Sequence, residues 1–151
     1  MQALIVDGQN VHGVIVGSAH PKKQEYAREL QSKINGRGLQ QQITMIGHRA
    51  DLKEILSLSD IVFSLSTEPE AFGRTTIEAL SLGIPVIGYD HGGVSEQLHA
   101  LLPEGAVQVG NYQQVCSTIS SWILSPPVPL PNTTFTLESM CSRTQKVYEI
   151  F

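Results

Sequence analysis

Ser64–Gly93, SLSTEPEAFGRTTIEALSLGIPVIGYDHGG, is the stretch that decides the fold. Asp60 to Ser66 is an expected strand, a polar bend follows, and Phe72 to Leu82 carries a helical pattern. Ile84 to Tyr89 returns to strand, with Gly83 and Pro85 marking the helix end. Strand, helix and strand joined by short turns form the pattern of a parallel sheet, whose ligands gather at the carboxyl ends of the strands. The expected fold class is therefore α/β, a Rossmann-like parallel sheet with helices on both faces. The bend after Ser66 is the first place to look for a site.

Three features of that bend point to an anionic, hydroxyl-bearing ligand. The helix is expected to open on Phe72-Gly73-Arg74-Thr75-Thr76, where Gly73 allows close approach and the unpaired N–H groups of the first turn attract phosphate. Glu70 stands just before the helix and Glu78 inside it, seven residues intervening, too far apart to share one proton. On a helical wheel Arg74, Thr75, Glu78 and Ser81 make one polar face, with Ile77, Leu80 and Ile84 towards the other. Carboxylates beside a phosphate site are costly unless they accept hydrogen bonds, and the hydroxyls of a ribose and a hexose are suitable donors.

Glu70 to Glu78 with Phe72-Gly73 between, followed by EALSLGIPVIGYDHGGVSE, resembles the E-x7-E signature and glycine-rich loop of the retaining family 4 glycosyltransferases, enzymes of the two-domain GT-B fold. The phrases GHRADLKEILSLSDIVFSLS and PEAFGRTTIEALSLG resemble in particular the bacterial members that build lipopolysaccharide and other surface glycans. The resemblance covers nearly the whole chain but only the C-terminal, donor-binding half of such an enzyme. It rests on the spacing, the central Phe-Gly and the downstream Gly-Gly-x-x-Glu together; two glutamates at that spacing would by themselves be a solvated helix face.

The 151 residues are one domain's worth, 41% hydrophobic and 16% charged, as in an ordinary globular protein. A net charge of -4 advertises no nucleic-acid partner. Apolar runs such as Ile84 to Ile87 and Val14 to Val16 fall far short of the ~20 residues that span a bilayer, and Met1-Gln2-Ala3-Leu4 lacks the basic start of a signal peptide. Cys116 and Cys141 match no metal spacing and are read as reduced, structural residues of helices.

In chain order, Met1 to Gly8 reads as the tail of a helix and Val11 to Gly17 as a buried strand feeding the loop Ser18-Ala19-His20-Pro21. Lys22 to Ile34 is the next helix, with Tyr26, Leu30 and Ile34 at helical intervals. Lys22 and Lys23 oppose its dipole and are either solvated or set to meet phosphate. Gln42 to Ile46 is a strand ending in Gly47-His48-Arg49 on the ligand side, and Asp51 to Leu58 a short helix with Leu52, Ile55 and Leu56 inward. His48 has no orienting carboxylate or nucleophile beside it, which disfavours a catalytic base. Arg49 reads equally as an ion-pair partner or a phosphate contact.

Asp90-His91-Gly92-Gly93 is a tight loop suited to packing on a ligand, before a helix from Val94 to Leu101 in which Glu96 reads as accepting from loop N–H groups ahead of a ligand contact. Ala106 to Val109 is the last strand, and Asn111 to Leu124 a helix with Tyr112, Val115, Ile119 and Ile123 near one face. Ser125 to Pro131, with four prolines in seven residues, is an extended crossing. Thr136 to Phe151 is a final helix with Thr136 as cap and an apolar stripe, Leu137, Met140, Cys141, Val147, Tyr148 and Phe151, that needs a partner surface. The expected organisation is a nucleotide-sugar-binding domain over residues 1–125, a crossing over 126–134 and the C-terminal helix over 135–151.

The resemblance implies a hexosyltransferase donor domain working with retention on a glycan or lipid-linked acceptor. Glu70, the implied catalytic residue, holds a hexose hydroxyl and Glu78 the ribose. Backbone N–H groups from Ala71 and Phe72 through Gly73, Arg74, Thr75 and Thr76 cradle sugar and diphosphate, and Gly47, His48 and Arg49 lie near the base. No cofactor or metal is expected, in keeping with the absence of an Asp-x-Asp motif. The family's donor-diphosphate Arg and Lys precede the point where this sequence starts, so a fragment or a split protein is expected. It is expected to bind donor weakly and transfer nothing by itself. The implied partners are the nucleotide-sugar donor and an N-terminal acceptor domain; peripheral membrane association through that half and a homodimer through the last helix are further expectations, with a cytoplasmic location at the inner membrane face. The rival readings are a non-catalytic nucleotide-sugar-binding or assembly module and an epimerase-like GT-B protein. A phosphorylase is disfavoured because Lys22, Lys23, Lys33, Lys53 and Lys146 sit in no pyridoxal context.

Overall fold

The computed structural model describes residues 1–18 and 24–149. The chain divides into two compact units, Met1–Leu52 and Lys53–Phe151. Strand pairing is parallel in both, as the alternation of strand and helix requires.

In the first unit, α1 (Gln2–Val6) ends where Gly8 adopts a left-handed conformation, matching the expected helix tail. β1 (Gly13–Val16) pairs with β2 (Ile43–Gly47) from Gly13 opposite Ile43 to Val16 opposite Gly47, with one irregularity between Ile15 and Val16. α2 (Gln24–Gly36) connects them. Its expected stripe is only partly used: Ile34 is buried, whereas Tyr26 is exposed because the helix turns a narrower face inward. Leu4, Ile34 and Leu39 form the small core of this unit. Lys22 and Lys23, with most of the preceding loop, lie outside the described residues.

α3 (Leu52–Ser57) leads into the second unit, burying Leu56. β3 (Val62–Ser64), β4 (Val86–Tyr89) and β5 (Ala106–Val107) follow in that order across one sheet. Between them run α4 (Arg74–Ser81) and α5 (Gly92–Leu101), and α6 (Tyr112–Leu124) and α7 (Leu137–Tyr148) close the chain. β4 is buried at all four positions, as expected for a strand covered on both faces. Ile87 and Leu98, both fully buried, centre the core, each worth about 1.5–3 kcal/mol of burial. The wheel drawn for α4 holds at Ile77 and Leu80, which are buried, and at Arg74, Thr75 and Ser81, which are exposed; Glu78 is half-buried, and Ile84, also half-buried, lies beyond the helix end.

α6 departs from the expected face. Val115, Ile119 and Trp122 are buried and Tyr112 and Ile123 are exposed, so the buried line runs through the tryptophan, whose large ring wins the inward position. Asn111 and Thr136 cap α6 and α7, accepting from the N–H groups of Gln114 and Ser139. The proline crossing forms neither helix nor strand and is tethered by Leu130 N–H to the Leu101 carbonyl at 2.8 Å. α7 buries no residue, leaving Leu137, Met140, Val147 and Tyr148 exposed. Phe151 lies outside the described residues.

Gly105 is where the sheet tolerates least: an added Cβ would lie 2.1 Å from the Val86 carbonyl oxygen. Gly105→Ala is expected to lower unfolding stability by about 3 kcal/mol, because the central strand itself must move. Gly36→Ala, with nothing within 4 Å of the new methyl, is expected to be neutral or stabilising. Urea unfolding of both variants checks the contrast.

Candidate functional site

Parallel pairing puts the carboxyl ends of β3, β4 and β5 at one edge of the sheet, so the segments after Ser64, Tyr89 and Val107 emerge together. The segment after β3 turns at once, Ser66 Oγ donating to the Glu68 carbonyl at 2.8 Å and accepting from Glu68 N–H at 3.3 Å. It then lies on the start of α5 and is held there through its carbonyls. His91 Nε2 donates to the Ser66 carbonyl at 2.9 Å, Gly93 N–H to that of Glu70 at 2.8 Å, and the Gln97 amide to that of Phe72.

Those bonds set the direction of the loop's amides. In a trans peptide the C=O and N–H point opposite ways, so carbonyls of Glu70 and Phe72 turned towards α5 send the N–H groups of Ala71 and Gly73 away from it. α4 begins at Arg74, two residues later than expected, because Gly73 takes a left-handed conformation (φ 76°, ψ 61°) as its cap. The first intrahelical bond is Ile77 N–H to Gly73 carbonyl at 3.3 Å. The N–H groups of Arg74, Thr75 and Thr76 have no acceptor among the described residues, and together with those of Ala71 and Gly73 they form one donor cluster at the helix end.

The acidic residues flank that cluster. Glu70 is exposed just before it, and Glu78 is half-exposed one turn inside α4. Glu78 is paired with Arg74 at 3.4 Å, the Arg74 side chain being 84% exposed. Such a surface i,i+4 pair is worth about 0.3–0.5 kcal/mol and is readily exchanged. Phe72 stands half-exposed at the mouth, edge-on to Phe135 (ring centroids 6.4 Å apart, 63° between planes).

The glycines of this edge also have close neighbours within the protein. A Cβ on Gly73 would meet Val94 Cγ2 at 2.9 Å. One on Gly92 would meet the Glu70 carbonyl at 2.6 Å, and one on Gly93 the Phe72 carbonyl at 2.7 Å. Their smallness lets α5 and the loop pack closely, Gly92 and Gly93 against loop backbone and Gly73 against the Val94 side chain. Glu96 also departs from expectation: it is exposed and accepts no hydrogen bond among the described residues, standing outside the buried line of Gly93, Val94, Gln97, Leu98 and Leu101.

Gly47, His48 and Arg49 belong to the first unit, at the carboxyl end of β2. Of the two roles open to Arg49, the structure shows the ion pair: Nε and Nη2 donate to the Asp51 carboxylate at 2.7 and 2.5 Å. That fork holds the Asp51 carboxyl below its ordinary value. His48 is exposed with no carboxylate partner among the described residues, consistent with the argument against a catalytic base.

A polar cluster at the end of β4 was not singled out from the sequence. Asp90 Oδ1 accepts from Ser95 Oγ at 2.5 Å and from His99 Nε2 at 2.9 Å, and the Ser95 bond, ahead of His99, lowers its pKa. The spacing Asp90, Ser95, His99 offers no recognisable pattern, because the three meet only when α5 folds back against the strand end. Gln97 was also missed, although a lone amide among Val94, Leu98 and Leu101 was a visible irregularity.

The family model for glycosyl transferases group 1 matches residues 2–132. The chain belongs to that family. Its α/β fold matches that of GT-B glycosyltransferases. A glycosyltransferase from Rickettsia africae ESF-5 superposes with a TM-score of 0.80 at 22% identity, over 97% of this chain and 41% of that one. Anabaena Alr3699/HepE, crystallised in complex with UDP and glucose, gives a TM-score of 0.71 at 30% identity, over 82% of this chain and 35% of that one. In sequence, the N-acetyl-alpha-D-glucosaminyl L-malate synthase of Bacillus anthracis is 34% identical over 58 residues, 38% of this chain and 15% of that protein. This group 1 chain thus spans well under half the length of each of these relatives.

Asp90 gives a pH test of the strand-end cluster. Its folded pKa is depressed, so its stabilising contribution is present above the unfolded carboxyl value of about 3.9 and is lost as pH falls through the lower folded value. Ser95→Ala is expected to raise the Asp90 pKa and flatten the dependence of unfolding stability on pH in that acid window, read by carboxyl NMR titration and by denaturant unfolding across the window.

Proposed function

We propose that this chain is the donor-binding part of a retaining glycosyltransferase of the group 1 family, holding a nucleoside-diphosphate hexose for transfer to a glycan or lipid-linked acceptor of the kind used in bacterial surface-polysaccharide synthesis. The observation that carries the reading is the cluster of N–H groups without an acceptor among the described residues, those of exposed Ala71, Arg74 and Thr75 and of buried Gly73 and Thr76, between two carboxylates. N–H groups at a helix end suit a diphosphate, and acceptor-only carboxylates suit sugar hydroxyls. In this arrangement Glu70, next to the loop amides, takes a hexose hydroxyl. Glu78, once released from Arg74, takes the ribose, and the freed Arg74 side chain becomes available to the diphosphate.

The chemistry asked of these groups is electrostatic. As the sugar leaves, negative charge collects on the departing diphosphate, and preorganised amides already aimed at it stabilise that charge without reorganising. The acceptor hydroxyl must approach the same face of the sugar, and orienting it belongs to an N-terminal acceptor domain. Neutralisation by the helix end and basic side chains calls for no metal. That Anabaena Alr3699/HepE was crystallised with UDP and glucose makes uridine the first base to test.

A non-catalytic assembly module is the second reading, favoured by α7, which buries none of its residues. Calorimetric titration with UDP, GDP and ADP separates the two. Saturable binding of at least one nucleotide is expected, weakened about tenfold by Glu78→Ala through loss of hydrogen bonds to a charged acceptor. Lack of saturation by all three would favour the assembly module.

A further inference from the structure

Gln97 is polar where its neighbours make an apolar residue the simple choice. It lies on the inward line of α5 with Val94, Leu98 and Leu101 and is 0% exposed. A buried amide forfeits its hydration and recovers it only if each polar atom finds a partner. Here only one does: Nε2 donates to the Phe72 carbonyl, while Oε1 has no partner among the described residues. The nearby Thr76 Oγ1 is buried and unpaired as well, and the two oxygens would stand 3.7 and 3.6 Å from a Cβ placed on Gly73. A half-satisfied amide in a core is poor packing. What it supplies is a direction for one carbonyl.

That direction matters at the next atom along. With the Phe72 carbonyl held by Gln97, the 72–73 peptide plane faces Gly73 N–H away from α5 and into the donor cluster. Turned over, the plane would remove that N–H and present the negative end of a carbonyl dipole beside the N-terminus of α4, where it repels any anion. No other donor among the described residues reaches the Phe72 carbonyl. On the α5 side its near neighbour is Gly93, where a side chain would collide with it at 2.7 Å.

We propose that Gln97 is a positioning residue for the diphosphate-sugar site, acting through the Phe72 carbonyl to aim the Gly73 amide. This rests on the donor-binding reading and adds to it the side chain that sets the amide orientation.

The test uses the full chain and two substitutions. Gln97→Met keeps the length and removes the donor; Gln97→Glu can donate to the Phe72 carbonyl only when its carboxyl is protonated. UDP is titrated calorimetrically, each variant being compared with wild type at the same pH, and the Phe72 carbonyl carbon is followed by NMR without ligand. Gln97→Met is expected to bind UDP about tenfold more weakly and to shift the Phe72 carbonyl resonance, with a cooperative melting transition retained. Gln97→Glu should match it at about pH 8 and recover towards wild type by about pH 5, with the melting transition retained at both and the Phe72 carbonyl resonance returning to its wild-type position in step, which destabilisation or charge repulsion alone would not produce. If Gln97→Met does not fold, the pH profile of Gln97→Glu decides. Wild-type affinity in both variants at every pH would overturn the proposal alone. A wild-type chain that binds no UDP, GDP or ADP would overturn the donor-binding reading and this proposal with it.

Discussion

The orientation of two peptide planes, 70–71 and 72–73, governs what the edge of the second sheet presents to solvent. Each is fixed by one hydrogen bond from α5, from the Gly93 N–H and the Gln97 amide respectively. α5 can supply these bonds because it is itself seated on a fully buried strand. A Cβ at Gly88 of β4 would lie 2.6 Å from Val94, so strand and helix meet with almost no space between them. The order of dependence runs from the buried apolar run of β4, through the seat of α5, to the carbonyls of the loop, and last to the free N–H groups at α4. Backbone groups aimed in this way carry no rotamer entropy of their own, which suits them to meeting charge.

Side-chain charge around this edge is loosely held by comparison. The Arg74–Glu78 pair lies at the surface, where water screens it and a competing partner displaces it at little cost. The Asp90 carboxylate is more firmly engaged, with a serine hydroxyl and a histidine on the same oxygen. Rigid amides and exchangeable side chains therefore divide the edge between them. The backbone sets the shape, and the charged groups are free to rearrange around whatever enters.

Much of the fold was legible because its signals are local. The β-branched run before Tyr89, the polar and apolar faces of α4 and the caps Asn111 and Thr136 all follow from spacing over a few residues. What escaped depends on contacts far apart in sequence. α4 starts at Arg74 and not Phe72 because Gly73, packed close to Val94 of α5, takes a left-handed conformation, and Trp122 takes the inward position that spacing gave to Ile123. Of the candidate site, Glu70, Glu78 and the helix end could be read directly. The clamp behind them could not, since Gly92, Gly93 and Gln97 reveal their neighbours only once the chain is folded.

The backbone contact between the loop and α5 also limits how this edge can diverge. Gly73, Gly92 and Gly93 each face the opposite segment, so a larger residue at any of them demands a simultaneous retreat across the joint. A single enlargement there strains the joint unless the facing segment moves as well. Evolutionary novelty must instead enter through side chains that project outward, such as Arg74 and Thr75, which can be exchanged without disturbing the joint beneath them.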